Sequence, residues 1–242
     1  MWAPRGLVAG PSAADVDERL EAFYGPAPAR PARDPVTELV LTILSQNTSD
    51  RNSLAAERSL IEALPTWESV RHAPESVIEE AIRHGGLSRL KAARIKAVLR
   101  EVHHREGSLS LERLRGLPLD EVLAYLLSLP GIGPKTAACV ALFSLRLPAF
   151  PVDTHVRRVA ARLGLVPPGA DLVAAHRVLA EVVPPGRRYS LHVHLIGLGR
   201  EICQARRPRC EMCPLAAVCA HAQTLGAEPT RRRTRSGVPV QA

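Results

Sequence analysis

Between two apolar stretches of helical period runs Leu129-Pro130-Gly131-Ile132-Gly133-Pro134-Lys135-Thr136-Ala137. Glycines on either side of Ile132 let the chain reverse sharply while the isoleucine plugs into a core. Gly133 is placed to cap the second helix, with Pro134 at its first position, where a missing N–H costs nothing. Without side chains, Gly131 and Gly133 let a phosphate approach backbone N–H groups at the positive end of a helix. Such contacts hold a nucleic-acid backbone without reading its sequence. Taken alone, the same turn is also an ordinary corner between two packed helices.

Outward from this turn the period stays helical. Asp34-Pro35 forms an N-cap and first-position proline ahead of Val36, Leu39, Val40, Ile43 and Leu44. A polar break at Gln46-Asn47-Thr48 precedes a helix containing Leu54, Ile61 and Leu64. Pro74 opens a helix with Val77, Ile78, Ala81 and Ile82 inside, which Gly85-Gly86 ends. Ile95, Val98, Leu99 and Val102 mark the next, and Pro118 opens one through Val122, Leu123, Leu126 and Leu127. Beyond Gly133, helices are expected near 134–146, 154–164, 171–183 and 188–202. No alternating strand pattern or solenoid-length repeat competes. The expectation is an all-α protein of roughly ten helices joined by short turns.

Composition narrows the function. Of 242 residues, 46% are hydrophobic and 23% charged, enough apolar material for a sizeable core. Aromatics are only 3%, which argues against a single-strand platform that stacks bases on several rings. No apolar run is long enough to cross a bilayer, and residues Met1 to Pro11 lack a signal-peptide core. A cytoplasmic, DNA-associated location is expected. The net charge of +8 points to a polyanionic partner. It is concentrated: Arg187, Arg188, Arg200, Arg206, Arg207 and Arg209 face only Glu201 within 187–209. A second block, Arg231, Arg232, Arg233 and Arg235, lies in a tail (226–242) without apolar period, expected to be disordered.

Four of the five cysteines, Cys203, Cys210, Cys213 and Cys219, fall within seventeen residues as C-x6-C-x2-C-x5-C. Without a secretory signal, a metal site is favoured over disulfides. Four thiolates suit either Zn²⁺ or an iron–sulfur cluster. Zinc sites usually use two short knuckles, and only Cys210 and Cys213 form one, so spacing leaves the metal open. Cys139 lies in an apolar stretch and reads as a small buried hydrophobe.

Three motifs together carry a resemblance. The hairpin is followed, eighteen residues after Lys135, by Asp153 within Phe150-Pro151-Val152-Asp153-Thr154-His155-Val156, and then by the cysteine run. In order and spacing these resemble the endonuclease III family of DNA glycosylases, over about residues 30–222. The resemblance implies two helical lobes with a cleft between them, a helix-hairpin-helix and a [4Fe–4S] cluster on the four cysteines. It implies a six-helix lobe over 27–147 and a cluster lobe combining 1–26 with 148–225, with Lys135 and Asp153 facing each other over the cleft.

The chemistry explains the residue types. A glycosylase that also cuts the strand needs an amine nucleophile, so the resemblance assigns Lys135 to attack the sugar C1′ and form a Schiff base. An ammonium cannot attack, so a neutral fraction is required, favoured by partial burial beside a positive helix end. Asp153 would help deprotonate the lysine and stabilise oxocarbenium-like charge, though its position also suits a helix cap. A flipped nucleotide leaves a gap to be filled. Gln46 matches the family glutamine that enters it, and Leu87 an intercalating leucine. His155 is open to DNA contact or active-site support. Arg206, Arg207 and Arg209 would form a phosphate clamp braced by the cluster.

Two departures stand out. Relatives often carry a bulky aliphatic residue two positions before the leucine, here Gly85, and His-Gly-Arg where this chain has Leu198-Gly199-Arg200. The expected activity is that of a bifunctional glycosylase/AP lyase removing oxidised or ring-damaged pyrimidines from duplex DNA, acting as a monomer. Alternatives are a monofunctional mismatch or adenine glycosylase, against which Lys135 argues, and a non-catalytic iron–sulfur DNA-binding protein.

Overall fold

A computed structural model describes residues 10–226. The N-terminal residues to 9 and the arginine block of the basic tail lie outside the described residues. Every described segment of regular structure is helical. Two compact units divide the chain, one from Pro31 to Leu147 and the other combining the segment up to Arg30 with that from Pro148.

The first helix, α1 (Ala13–Tyr24), belongs to the second of these units. It starts on a reciprocal box in which Ser12 Oγ accepts from Asp15 N while the Asp15 carboxylate accepts from Ser12 N. The sequence reading passed over this helix, although Ser12 and Asp15 were its signal.

In the Pro31–Leu147 unit, α2 (Pro35–Leu44) begins as expected, with Asp34 Oδ1 accepting from Val36 N and Thr37 N at 3.0 and 3.1 Å. Then come α3 (Asp50–Ala63), α4 (Trp67–His72), α5 (Glu75–Ala81), α6 (Ser88–Glu106) and α7 (Leu119–Leu127). The last helix, α8 (Pro134–Cys139), continues through a π-helical turn at Val140–Ser144. One phase differs from expectation: Leu54 and Ile61 are exposed, and α3 buries Ala56 and Leu60 instead. A mainly polar helix with few apolar residues leaves its period ambiguous, and packing against α5 and the following turn selects the narrower stripe. Helix α2 is buried along nearly its whole length, from Pro35 to Leu44 except Thr37, and packs on α6, α8 and the π turn.

The second unit adds α9 (Thr154–Leu163), α10 (Leu172–Val182), α11 (Arg188–Glu201) and α12 (Ala220–Thr224). Its core joins Val16 and Leu20 of α1, Val156 and Val159 of α9, and Leu191, Leu195 and Leu198 of α11. Inside it Asp17 accepts from His194 Nδ1 at 3.0 Å, from Ser190 Oγ at 2.6 Å and from Arg187 Nη1 at 3.4 Å, which locks α1 to α11. Among the described residues no helix is long and apolar enough to cross a membrane.

Candidate active site and cysteine pocket

The hairpin closes through Ile132 N donating to Leu129 O at 3.2 Å and Ala137 N to Gly133 O at 3.0 Å. Ile132 is buried, as its role as a plug requires. Gly131 has φ +72°, and a Cβ there would sit 2.6 Å from Arg94 Nε. The position therefore needs glycine twice over, for its backbone and for the side chain lying across it. This corrects part of the sequence reading: the space above Gly131 holds the Arg94 stem. Gly133 has ordinary backbone angles as the N-cap of α8, and a Cβ there would meet nothing within 4 Å, so this glycine is the open one.

Lys135 is half-buried at the second position of α8. Its neighbour Thr136 is buried and accepts from Gln46 Nε2 at 3.1 Å. Gln46 Oε1 in turn accepts from Arg94 Nη1 at 2.6 Å. Gln46 follows the end of α2, in a turn continued by Asn47 at φ +51°. The predicted stack-filling glutamine is thus tied to the residue beside the predicted nucleophile.

Leu87 stands 54% exposed and has φ +51°. A branched residue in left-handed backbone with its side chain in solvent is not anchoring a loop. It is strained and presented outward. Gly85, the departure two residues earlier, is buried, and a Cβ there would come 3.1 Å from Ala56 Cβ. An aliphatic side chain at this position would press on Ala56, and α3 would have to give by a few tenths of an ångström. Beneath both turns lies Lys91, whose Nζ donates to Leu44 O and Gly85 O. The sequence reading missed Lys91 and Arg94; their spacing of three on α6, otherwise filled with apolar residues on that side, was the available signal.

In the other unit Asp153 caps α9, with Oδ1 accepting from Val156 N at 2.7 Å. The cap needs one carboxylate oxygen, so capping and a chemical role are compatible. His155 Nδ1 lies 3.1 Å from Arg158 Nη2, and its Cβ rests so close to Gly199 that a Cβ there would fall 2.9 Å away. The histidine packs between α9 and α11 and stays partly exposed. Arg158 donates from Nε to Cys203 O at 2.9 Å and from Nη2 to Gly199 O at 2.7 Å. Burial, the largest influence, lowers its pKa. Leu198, at the second departure, is buried in the apolar core, where a histidine's polar ring would need partners.

Cys203, Cys210, Cys213 and Cys219 line one pocket together with Arg162 and His221. Arg162 Nη1 lies 3.2 Å from Cys203 Sγ and 2.8 Å from Gln204 O, and Nη2 2.8 Å from Ala205 O, pinning the loop. Burial pushes the Cys213 thiol up to about 12, with neighbouring sulfurs adding to it and the Leu215 N–H opposing. Cys210 and Cys219 are raised for the same first reason, burial. At Cys210, Cys213 and Cys219 the thiolate is disfavoured first by burial and then by the other sulfurs, and a positive group among them would offset both. Among the described residues no three His, Cys, Asp or Glu side chains converge as around a single ion. Arg206 and Arg207 are exposed on this loop, whereas Arg209 donates from Nη2 to Glu201 O.

Residues 40–185 match the model of the HhH-GPD superfamily base excision DNA repair protein. Endonuclease III of Thermotoga maritima is 32% identical over 201 residues, covering 83% of this chain and 90% of that protein. A candidate DNA glycosylase of Arabidopsis thaliana is 42% identical over 165 residues, 68% of this chain and 56% of its own length. The Arabidopsis thaliana DNA glycosylase/AP lyase ROS1 is 34% identical over 64% of this chain but only 12% of its own length. The chain therefore spans about half or much less of these plant relatives. Among solved structures, a trapped endonuclease III–DNA covalent intermediate superposes with TM-score 0.74 at 28% identity, over 87% of this chain and 95% of the other.

Proposed function

This chain belongs to the HhH-GPD superfamily of base excision DNA repair proteins, and we propose that it is a bifunctional DNA glycosylase and AP lyase acting on oxidised or ring-damaged pyrimidines in duplex DNA. The observation that carries this reading is Lys135: a half-buried primary amine in the first turn after the hairpin, next to the Thr136–Gln46 bond. A monofunctional glycosylase has no use for an amine there.

In this reading the Lys135 amine attacks C1′, the damaged base departs with its bonding electrons and a proton, and the sugar opens to a Schiff base. Loss of a proton from C2′ then expels the 3′ phosphate and breaks the strand. Asp153 takes the amine's proton and stabilises positive charge developing at C1′. Leu87 and Gln46 fill the gap left by the everted nucleotide. Gly133 and the first N–H groups of α8 receive a backbone phosphate.

The four cysteines fit a [4Fe–4S] cluster. Their side chains line one pocket, and Arg162 together with backbone N–H groups supplies the hydrogen bonds that bound thiolates take. When bound, the cluster supplies a covalent brace for the 203–219 loop. Arg206 and Arg207 on that loop contact phosphate.

Borohydride added during incubation with a duplex containing one abasic site tests the reading. A covalent protein–DNA adduct, absent from Lys135→Ala, is expected. An uncut strand with no adduct would leave only a DNA-binding role. A panel of single-lesion duplexes then tests the pyrimidine preference.

A further inference from the structure

We infer that Arg94 is a positioning residue: it sets the orientation of the Gln46 amide and couples that side chain to the hairpin beside Lys135. The inference rests on the glycosylase reading above and adds to it a determinant of how the vacated stack is filled.

A guanidinium carries only N–H donors. Its 2.6 Å contact with Gln46 can therefore only be made to the amide oxygen, which removes the ambiguity that an isolated amide would have. Once Oε1 is held, the NH₂ points the other way. One of its hydrogens goes to Thr136 Oγ1 at 3.1 Å, which leaves the second as the group Gln46 offers to DNA. An amide freed from Arg94 could rotate and offer its oxygen instead. Arg94 thus decides whether Gln46 meets an orphan base as a donor or as an acceptor.

The same side chain is held at its middle. Its Cγ, Cδ and Nε lie where a Gly131 side chain would be, at 3.2, 3.1 and 2.6 Å from that Cβ position. The hairpin clamps the stem and the guanidinium clamps the glutamine. A displacement of the hairpin by a bound phosphate is thereby passed to Gln46, and a displacement of Gln46 to the turn carrying Lys135. The bond is charge-assisted and partly shielded from water, so it is strong enough to hold a side chain that otherwise has several rotamers.

The test is a double-variant cycle in the full chain. Single-turnover nicking and affinity are measured on duplexes with one abasic site opposite A, G, C or T, for wild type, Arg94→Met, Gln46→Ala and the pair. Arg94→Met keeps the stem over Gly131 and removes the donors. We expect about tenfold or more loss of nicking, from loss of one charge-assisted bond, with the borohydride adduct still forming at Lys135. In the Gln46→Ala background the second change should have no further effect, and the ratio between the best and worst opposite base should shrink in Arg94→Met. Arg94→Lys, which retains a cation, should recover part of the loss.

Equal losses from Arg94→Met with and without Gln46, or an unchanged opposite-base ratio, would overturn the inference, because a purely structural residue behaves that way. Should Arg94→Met not fold, the cycle is run with Arg94→Lys, whose smaller loss should likewise vanish in the Gln46→Ala background, and equal losses with and without Gln46 would overturn the inference. If wild type nicks none of the duplexes, the lyase reading fails, while the coupling is still read from affinity for those duplexes.

Discussion

Lys91 Nζ donates to the carbonyl oxygen of Leu44 at 2.7 Å, across 47 residues of chain. Leu44 is the last residue of α2, so this oxygen is one of those a helix leaves unpaired at its negative end. The same ammonium donates to Gly85 O at 2.8 Å, two residues before Leu87. One buried cation, 2% exposed, therefore joins the turn that carries Gln46 to the turn that carries Leu87. Burial lowers its pKa, while donation to two carbonyl oxygens favours the ammonium form.

Replacing Lys91 by Met keeps most of the volume and strands two buried carbonyls. We expect about 2–4 kcal/mol of destabilisation, seen as a lower urea midpoint. Strand cleavage should fall further than stability alone accounts for, since both turns lose a common anchor. A variant as stable as wild type would show that these oxygens find other donors.

The cap and the chemistry of Asp153 are separable. Asn retains an oxygen for Val156 N, so Asp153→Asn should fold as wild type and bind duplex DNA but lose base excision. Asp153→Ala should also lose about 1 kcal/mol of stability, the ordinary cost of an N-cap. Full excision by the Asn variant would reduce the aspartate to a cap.

Metal analysis bears on the cysteine pocket. Purified protein should be coloured and hold about four iron atoms per chain. Cys213→Ser, which removes one of the four thiols of the pocket, should bleach it and loosen the 203–219 loop to proteolysis. A colourless protein with one zinc per chain would refute the cluster.

Salt titration reads the basic loop. With four or five phosphates contacted, log affinity should fall against log salt with a slope of roughly −4, at about −0.9 per phosphate. Arg206→Ala and Arg207→Ala should each make the slope shallower by about 0.9. Arg209→Ala should change it less, because that side chain is turned back onto Glu201 O.

Acid stability should report Asp17. Burial alone would raise its pKa, but hydrogen bonds from His194, Ser190 and Arg187 together outweigh burial and hold the carboxyl below the usual range. The folded state thus favours the anion. Its contribution is complete above about pH 4, the unfolded value, and is lost as pH falls through the lower folded one. Asp17→Asn should cost about 3 kcal/mol at neutral pH, with the gap to wild type closing as the solution is acidified. A gap independent of pH would remove the carboxylate from this account.

Much of the helical content was legible in the sequence. The Asp34-Pro35 start of α2, the apolar stripe of α6 and the hairpin plug Ile132 all lie where local pattern puts them. Helix α3 was harder, because its few apolar residues allow two phases and only its neighbours choose between them. Helix α1 was passed over for want of a long apolar stripe, although its capping box was present. Of the candidate site residues, Leu87 could be placed in a loop from Gly85-Gly86, but its left-handed backbone and exposure could not be foreseen.

The sequence by itself determined the helical fold, the hairpin, the amine at Lys135 and the carboxylate capping α9. Those features arise from interactions within four residues along the chain, where spacing and shape are nearly the same thing. Only the tertiary structure decided that Arg94 lies over Gly131 and ends on Gln46, 48 residues away, and that Lys91 ties Leu44 to Gly85. A cation on a helix has no sequence-readable partner; which carbonyl or amide it meets depends on how the surrounding helices pack.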